Sequence, residues 1–257
     1  MNRVRAHGLS LGYDDRLVIE GIDLEIPDGA FTSIVGPNAC GKSTLLRSLV
    51  RLQPARAGGV ELDGRPVTQW KSKELARELG FLPQSALSPE GIRVKALVRR
   101  GRYAHQTMLN SWSRADEEAT DRAMDAAGVT ELADRPVSEL SGGQRQRVWV
   151  AMVLAQETPY LLLDEPTTFL DIAHQYDLLR LLRELVAHGR TVVAVLHDLN
   201  QACRFGDHVI AMRDGKVVAS GPPAQVVNPE LVHQIFGMDC VVVPDPVAGS
   251  PMIVPLD

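Results

Sequence analysis

At 257 residues the chain is long enough for one large domain or two small ones, since domains run to ~100 to 200 residues. Apolar residues make up 45% and charged residues 23%, with a formal net charge of -5, so the composition is that of a globular protein without the basic excess that draws nucleic acid. Cys40, Cys203 and Cys240 lie far apart with no C-x-x-C pair, which suits a reducing compartment and offers no zinc or iron–sulfur framework.

The start, "MNRVRAHGLSLGYDD", has two arginines but no apolar run behind them, so no secretory signal is expected. "IDLEI" at 22–26 alternates apolar with acidic residues, the period of a half-buried strand, and "PDG" turns the chain into the apolar strand "FTSIV". A glycine-rich loop follows, "GPNACGKST" at 36–44, and then Leu45, Leu46, Leu49 and Val50 recur with helical spacing. "GFLPQS" at 80–85 reads as a short strand ending at a polar glutamine, and a helical segment is expected from about 90 to 157. Within it, "SRADEEATDRAMDAAG" has Ser113 as N-cap and Gly128 as stop. The longest apolar run, "VWVAMVLA" at 148–155, falls far short of the ~20 residues that span a bilayer, so a membrane role would pass through a partner.

"YLLLD" resumes the strand pattern, "DLLRLLRELVAHG" is an amphipathic helix ending at Gly189, and "TVVAVLH" is a continuous apolar strand. "HVIAMRDGKVVASG" reads as a hairpin turning at Asp214 and Gly215, and the tail holds a short helix, "NPELVHQIFG", and a small hairpin, "CVVVPDPVAGSPMIVP". Apolar strands alternating with helices predict an α/β fold with a mostly parallel sheet covered on both faces.

"GPNACGKST" fits the phosphate-loop pattern G-x-x-x-x-G-K-[ST]. Gly36 and Gly41 let successive N–H groups converge on phosphate oxygens, and the positive end of the following helix points there. Pro37, Asn38, Ala39 and Cys40 complete the loop, Lys42 would reach the β- and γ-phosphates, Ser43 would ligate Mg²⁺, and Thr44 closes the motif. "YLLLDEP" at 160–166 supplies the matching acids. Asp164, ending a buried strand, is expected beside the Mg²⁺ shell, and Glu165 is placed to orient and polarise the attacking water.

"LSGGQRQR" at 140–147 is a second phosphate-facing surface. Gly142 and Gly143 open an apolar helix, so their N–H groups, with the Ser141 hydroxyl, present donors to an anion, worth on the order of 1 kcal/mol at a helix end. One γ-phosphate already cradled by residues 36–44 leaves little room for it. Residues 140–144, Gln144 included, are therefore expected to serve the nucleotide held by another copy.

In this order the phosphate loop, "LSGGQ" and "LLLDE" resemble the ATP-binding subunit of an ABC transporter, over nearly the whole chain. The resemblance implies one P-loop NTPase domain over 1–257, binding ATP and Mg²⁺ and closing head-to-tail with a second copy. Its nucleotide-binding core, with an N-terminal antiparallel β part, would cover about 1–86 and 158–223, a helical subdomain about 87–157, and a tail about 224–257. By resemblance Gln84 touches Mg²⁺ and the attacking water, His197 contacts the γ-phosphate, and Asp171 spans the dimer seam. Tyr13 resembles the aromatic that stacks on adenine, with an exposed strand tyrosine as the competing reading. Ala39 stands where the family more often has glycine, and its methyl is expected to restrict the loop slightly without removing a donor.

"RRGRYAHQ", "EPTTFLDIAHQ", "LHDLNQA" and "PDPVAGSPMIVP" are similar to the ferric-siderophore, haem and cobalamin import group, with Ala104 where that group commonly has proline. That likeness implies an iron–siderophore importer ATPase at the cytoplasmic face of the cell membrane. Its partners would be a permease and, indirectly, a substrate-binding protein, and not nucleic acid. Haem, cobalamin or a metal ion is the neighbouring cargo, and a soluble non-transport ABC ATPase the more distant reading. Arg99, Arg100 and Arg102 are candidates to meet the permease, against the plain alternative of a solvated basic helix end.

Overall fold

The computed structural model describes residues 2–85, 88–106 and 112–256. β1 (Val4–Tyr13) and β2 (Arg16–Ile26) form a hairpin, β3 (Phe31–Val35) runs into α1 (Lys42–Leu49), and β4 (Ala57–Leu62) returns to the free side of β1. With the two-residue β5 (Arg65–Pro66) this makes an antiparallel sheet of order β2-β1-β4-β5, the N-terminal antiparallel part that the resemblance implied. Then come α2 (Ser72–Glu78), β6 (Leu79–Leu82), α3 (Val94–Arg99), α4 (Arg114–Ala126), α5 (Gly142–Leu154), β7 (Tyr160–Asp164), α6 (Ile172–Ala187), β8 (Thr191–Val195) and α7 (Leu199–Phe205). The chain closes with β9 (His208–Arg213), β10 (Lys216–Gly221), α8 (Pro223–Val226), α9 (Pro229–Phe236), β11 (Cys240–Pro244) and β12 (Pro251–Pro255).

Six of these strands form the central sheet, in the order β10-β9-β3-β8-β7-β6. Every neighbouring pair is parallel except β9 with β10, the hairpin turning at Asp214 and Gly215. β3, β7 and β8 are buried at every position, because layers pack on both faces and alternation would leave polar side chains in the core. Register sets the site: Ile34 pairs with Val195, and Val195 with Asp164. The carboxyl ends of β3, β7 and β8 therefore share one edge, where ligands of open α/β sheets bind.

Several helices start where a side chain caps them. The Ser113 hydroxyl accepts from Asp116 N–H at the start of α4, Asp171 does so from His174 N–H for α6, and Asp198 from Gln201 N–H for α7. α6 begins at Ile172, five residues before the apolar pattern that starts at Asp177. Ile172 is 74% exposed, so the first turn carries no apolar stripe and only its cap marks it. "GFLPQS" is strand only to Leu82, since Pro83 has no N–H to continue the ladder. Among the described residues, the helical segment expected at 90–157 folds as α3, α4 and α5 with 3₁₀ turns between them, and α2 and α7 add helices that the sequence pattern did not signal. The expected boundary at 86–87 lies outside the described residues. Among those residues, no helix is long and apolar enough to cross a membrane.

Candidate functional site

The loop leaving β3 is shaped by backbone conformations that few side chains tolerate. Gly36 has φ +152°, and a Cβ there would stand 2.2 Å from the Met212 carbonyl oxygen. Gly41, at φ 104°, caps α1. Ala39 sits at φ 60°, a left-handed conformation that costs an L-residue roughly 1–2 kcal/mol. Its methyl therefore stores strain, a larger effect than a slight restriction of the loop. Lys42 is buried and donates from Nζ to the carbonyls of Gly36 (2.8 Å) and Pro37 (2.7 Å), which holds the ammonium across the mouth of the loop. The β9–β10 turn braces the loop from behind, Gly215 N–H donating to the Cys40 carbonyl at 3.1 Å.

Ser43 Oγ donates to Asp164 Oδ1 at 2.7 Å. Asp164 is fully buried, and its Oδ2 has no hydrogen-bond partner among the described residues. Burial pushes this carboxyl above the usual carboxylate range, while the Ser43 bond and the nearby Arg47 (3.9 Å) pull the other way. Glu165 is the next residue, at φ 53°, a strained conformation of the kind that collects at functional sites. Its Oε2 receives three neighbours: Gln84 Nε2 at 2.8 Å, His197 Nε2 at 2.7 Å and Thr168 Oγ1 at 3.3 Å.

One cleft of about 940 Å³ joins Lys42 and Ser43 with Gln84, Glu165 and His197, and Asp164 lies behind its lining, reached through Ser43. Tyr13, Asn38, Ala39, Gly41, Lys42, Ser43, Thr44, Gln84, Glu165 and His197 line it, with Arg16, Leu17, Val18, Asp214 and Gly215. A glycine-shaped loop, a buried lysine and a carboxylate at the end of a parallel strand are chemistry suited to a nucleoside triphosphate.

The sequence profile of the family described as "ABC transporter" matches residues 19–168. The chain belongs to the ABC transporter family. The ferric enterobactin transport ATP-binding protein FepC of Escherichia coli (strain K12) is 56% identical over 255 residues, which is 99% of this chain and 94% of the relative. The achromobactin transport ATP-binding protein CbrD of Dickeya dadantii (strain 3937) is 47% identical over 256 residues, 99% of this chain and 95% of the relative. Among solved structures, the dimeric structure of MJ0796, a bacterial ABC transporter cassette, superposes with a TM-score of 0.77 at 28% identity, covering 85% of this chain and 98% of that one. The protein is thus an ABC ATPase, whose α/β fold is the P-loop NTPase cassette.

In this ABC ATPase the "LSGGQ" residues do not line the cleft. Ser141 Oγ accepts from Gln144 N–H at 3.2 Å and Gln144 Oε1 from Ser141 N–H at 3.1 Å, a reciprocal cap on α5. The N–H groups of Gly142 and Gly143 open the helix and have no acceptor within it. Asp171 also lies outside the cleft. It is exposed, and the backbone and ring of His174 hold its carboxyl below the usual range.

Of the three arginines considered for the permease, Arg102 is corrected by the structure. It is 5% exposed, pairing with Asp116 (2.9 Å) and Glu157 (2.9 Å) and donating to the Ala155 carbonyl (2.8 Å). A guanidinium locked in that way is a strut between α4 and the turn after α5, unavailable to a partner. Arg99 stacks over Trp112 at 3.8 Å, and Arg100 is exposed. Sequence reasoning missed Thr168, Arg47, Arg16 and the cleft-facing turn at Asp214 and Gly215. The Asp214–Gly215 turn was legible as a turn though not as part of the cleft, and Thr168 is placed by a turn after Glu165 that closes with Thr168 N–H on the Glu165 carbonyl (3.2 Å).

Proposed function

We propose that this chain is the ATP-hydrolysing subunit of a ferric-siderophore importer, working at the cytoplasmic face of the cell membrane as a head-to-tail dimer beneath its permease. The observation that carries the hydrolytic part is the Glu165 carboxylate. Gln84, His197 and Thr168 all meet Oε2, which orients the group and leaves Oε1 to accept from a water aimed at the γ-phosphate. The N–H groups of Gly36 and residues 38–41 and the Lys42 ammonium hold the triphosphate, and Tyr13 stacks on the base. His197 Nε2 is the donor that turns from Glu165 to the γ-phosphate when nucleotide arrives.

Buried Asp164 Oδ2, which lacks a donor among the described residues, suits a hard divalent cation. Ser43, Asp164 and Gln84 would hold Mg²⁺, which when bound neutralises charge on the β- and γ-phosphates. Residues 141–144 and Asp171, outside the cleft of their own chain, serve the nucleotide of the second copy. The assignment of siderophore cargo is supported by the similarity to FepC and CbrD over 99% of the chain, and a binding protein would deliver that cargo to the permease.

The test is genetic and enzymatic. Cells lacking the protein should fail to grow with a ferric siderophore as sole iron source, and wild type should restore growth while Glu165→Gln does not. Purified Glu165→Gln should bind ATP and dimerise by size-exclusion chromatography yet scarcely hydrolyse it. Normal uptake of every siderophore tested, with haem or cobalamin uptake lost, overturns the cargo, and rapid turnover by Glu165→Gln overturns the role of Glu165.

A further inference from the structure

Two stretches noted above for their resemblance, "EPTTFLDIAHQ" and "LHDLNQA", contain glutamines 26 residues apart that the fold brings together. Gln201 on α7 is 4% exposed and donates from Nε2 to Gln175 Oε1 at 2.7 Å; Gln175 on α6 donates from Nε2 to the Leu170 carbonyl at 3.0 Å. One end of this relay is anchored beside His197, where Asp198 Oδ1 accepts from Gln201 N–H at 3.0 Å. The other end stops at the residue before Asp171. That loop touches the "LSGGQ" helix of its own chain: a Cβ at Gly143 would stand 3.3 Å from the Phe169 carbonyl oxygen, and buried Gln146 donates to the Pro166 carbonyl at 3.1 Å. Two apolar side chains would pack α6 on α7 at no cost in buried amides, so packing alone does not call for this pair.

We infer that Gln175 and Gln201 are positioning residues that tie the His197 segment to the 167–171 loop, so that movement of His197 at the γ-phosphate is passed to the dimer-facing Asp171 and the signature helix. The inference rests on the assignment of His197 to hydrolysis given above.

The experiment compares ATPase kinetics of Gln201→Leu, Gln175→Leu, the double variant, Gln175→Glu and His197→Ala, with ATP affinity measured for each as the control for folding. A carboxylate at 175 still accepts from Gln201 but cannot donate to Leu170, so Gln175→Glu cuts only the arm to the loop. Each variant of the relay should lower kcat by about tenfold with KM for ATP within about twofold of wild type. The double variant should fall no further than either single one, the mark of one coupled unit. Wild-type kcat in Gln175→Glu, additive losses in the double variant, or a raised KM with unchanged kcat overturns the relay. Full turnover in His197→Ala removes the underlying assignment. An inert His197→Ala beside normal glutamine variants removes the relay alone.

Discussion

Replacing Arg102 with methionine should destabilise the protein by about 3–4 kcal/mol, because one member of a buried ion pair is removed and the other stays charged. The figure follows from the three contacts. Arg102 and Asp116 have side chains only 7% and 8% exposed, the setting in which truncating one partner costs ~3–5 kcal/mol. Glu157 is 37% exposed and keeps Arg122 at 3.0 Å, so its loss adds well under ~1 kcal/mol. The Ala155 carbonyl loses a donor, for about 1 kcal/mol, and the methionine stem restores part of the packing. At ~2–4 °C per kcal/mol for a chain of this size, Tm should drop by roughly 10 °C in a calorimetric scan at neutral pH.

The effect should also depend on pH. Burial pushes the Asp116 carboxyl up, but the bonds from Ser113 and Arg102 outweigh it and hold the group below the usual range. A carboxyl lowered in the folded state contributes stability above its unfolded pKa of about 4, lost as pH falls through the lower folded value. The gap between wild type and Arg102→Met should accordingly close in acid. In an Asp116→Asn background, Arg102→Met should cost less than half as much. A Tm within about 2 °C of wild type, or an undiminished loss in the Asp116→Asn background, would refute the strut and reopen Arg102 as a docking residue.

Tyr13→Ala should raise the Kd for ATP by about 5- to 150-fold, the ~1–3 kcal/mol of a lost stacking contact, whereas Tyr13→Phe should stay near wild type because the hydroxyl lies a long 3.4 Å from Thr44; displacement of a fluorescent nucleotide measures both. Gly36→Ala should abolish ATP binding by calorimetry, since its Cβ would meet the Met212 carbonyl at 2.2 Å and Cys40 Sγ at 2.9 Å. A heterodimer pairing Lys42→Ala in one subunit with Ser141→Arg in the other should still occlude ATP at one site, and a dimer with both changes in one subunit at neither. The reverse ranking, read as occluded nucleotide per dimer, would mean that each chain holds a complete site.

The sequence by itself determined what depends on neighbours a few residues apart. The phosphate loop is legible because "GPNACGKST" carries glycines where the backbone turns to φ +152° and 104°, and α4 because Ser113 caps a periodic run. The acids of "YLLLDEP" are legible because a wholly apolar strand must end at the sheet edge. Tertiary structure decided everything that spans long separations. Gln84 meets Glu165 across 81 positions only because β6 lies beside β7, and strand order leaves no local trace in the chain. Arg102 looks like any basic helix residue until Asp116 and Glu157 close on it from 14 and 55 positions away. The exclusion of residues 141–144 from their own cleft is likewise a matter of where α5 packs. Periodicity and capping act within a helical turn or a strand pair, whereas burial of a charge depends on which elements the whole core brings together.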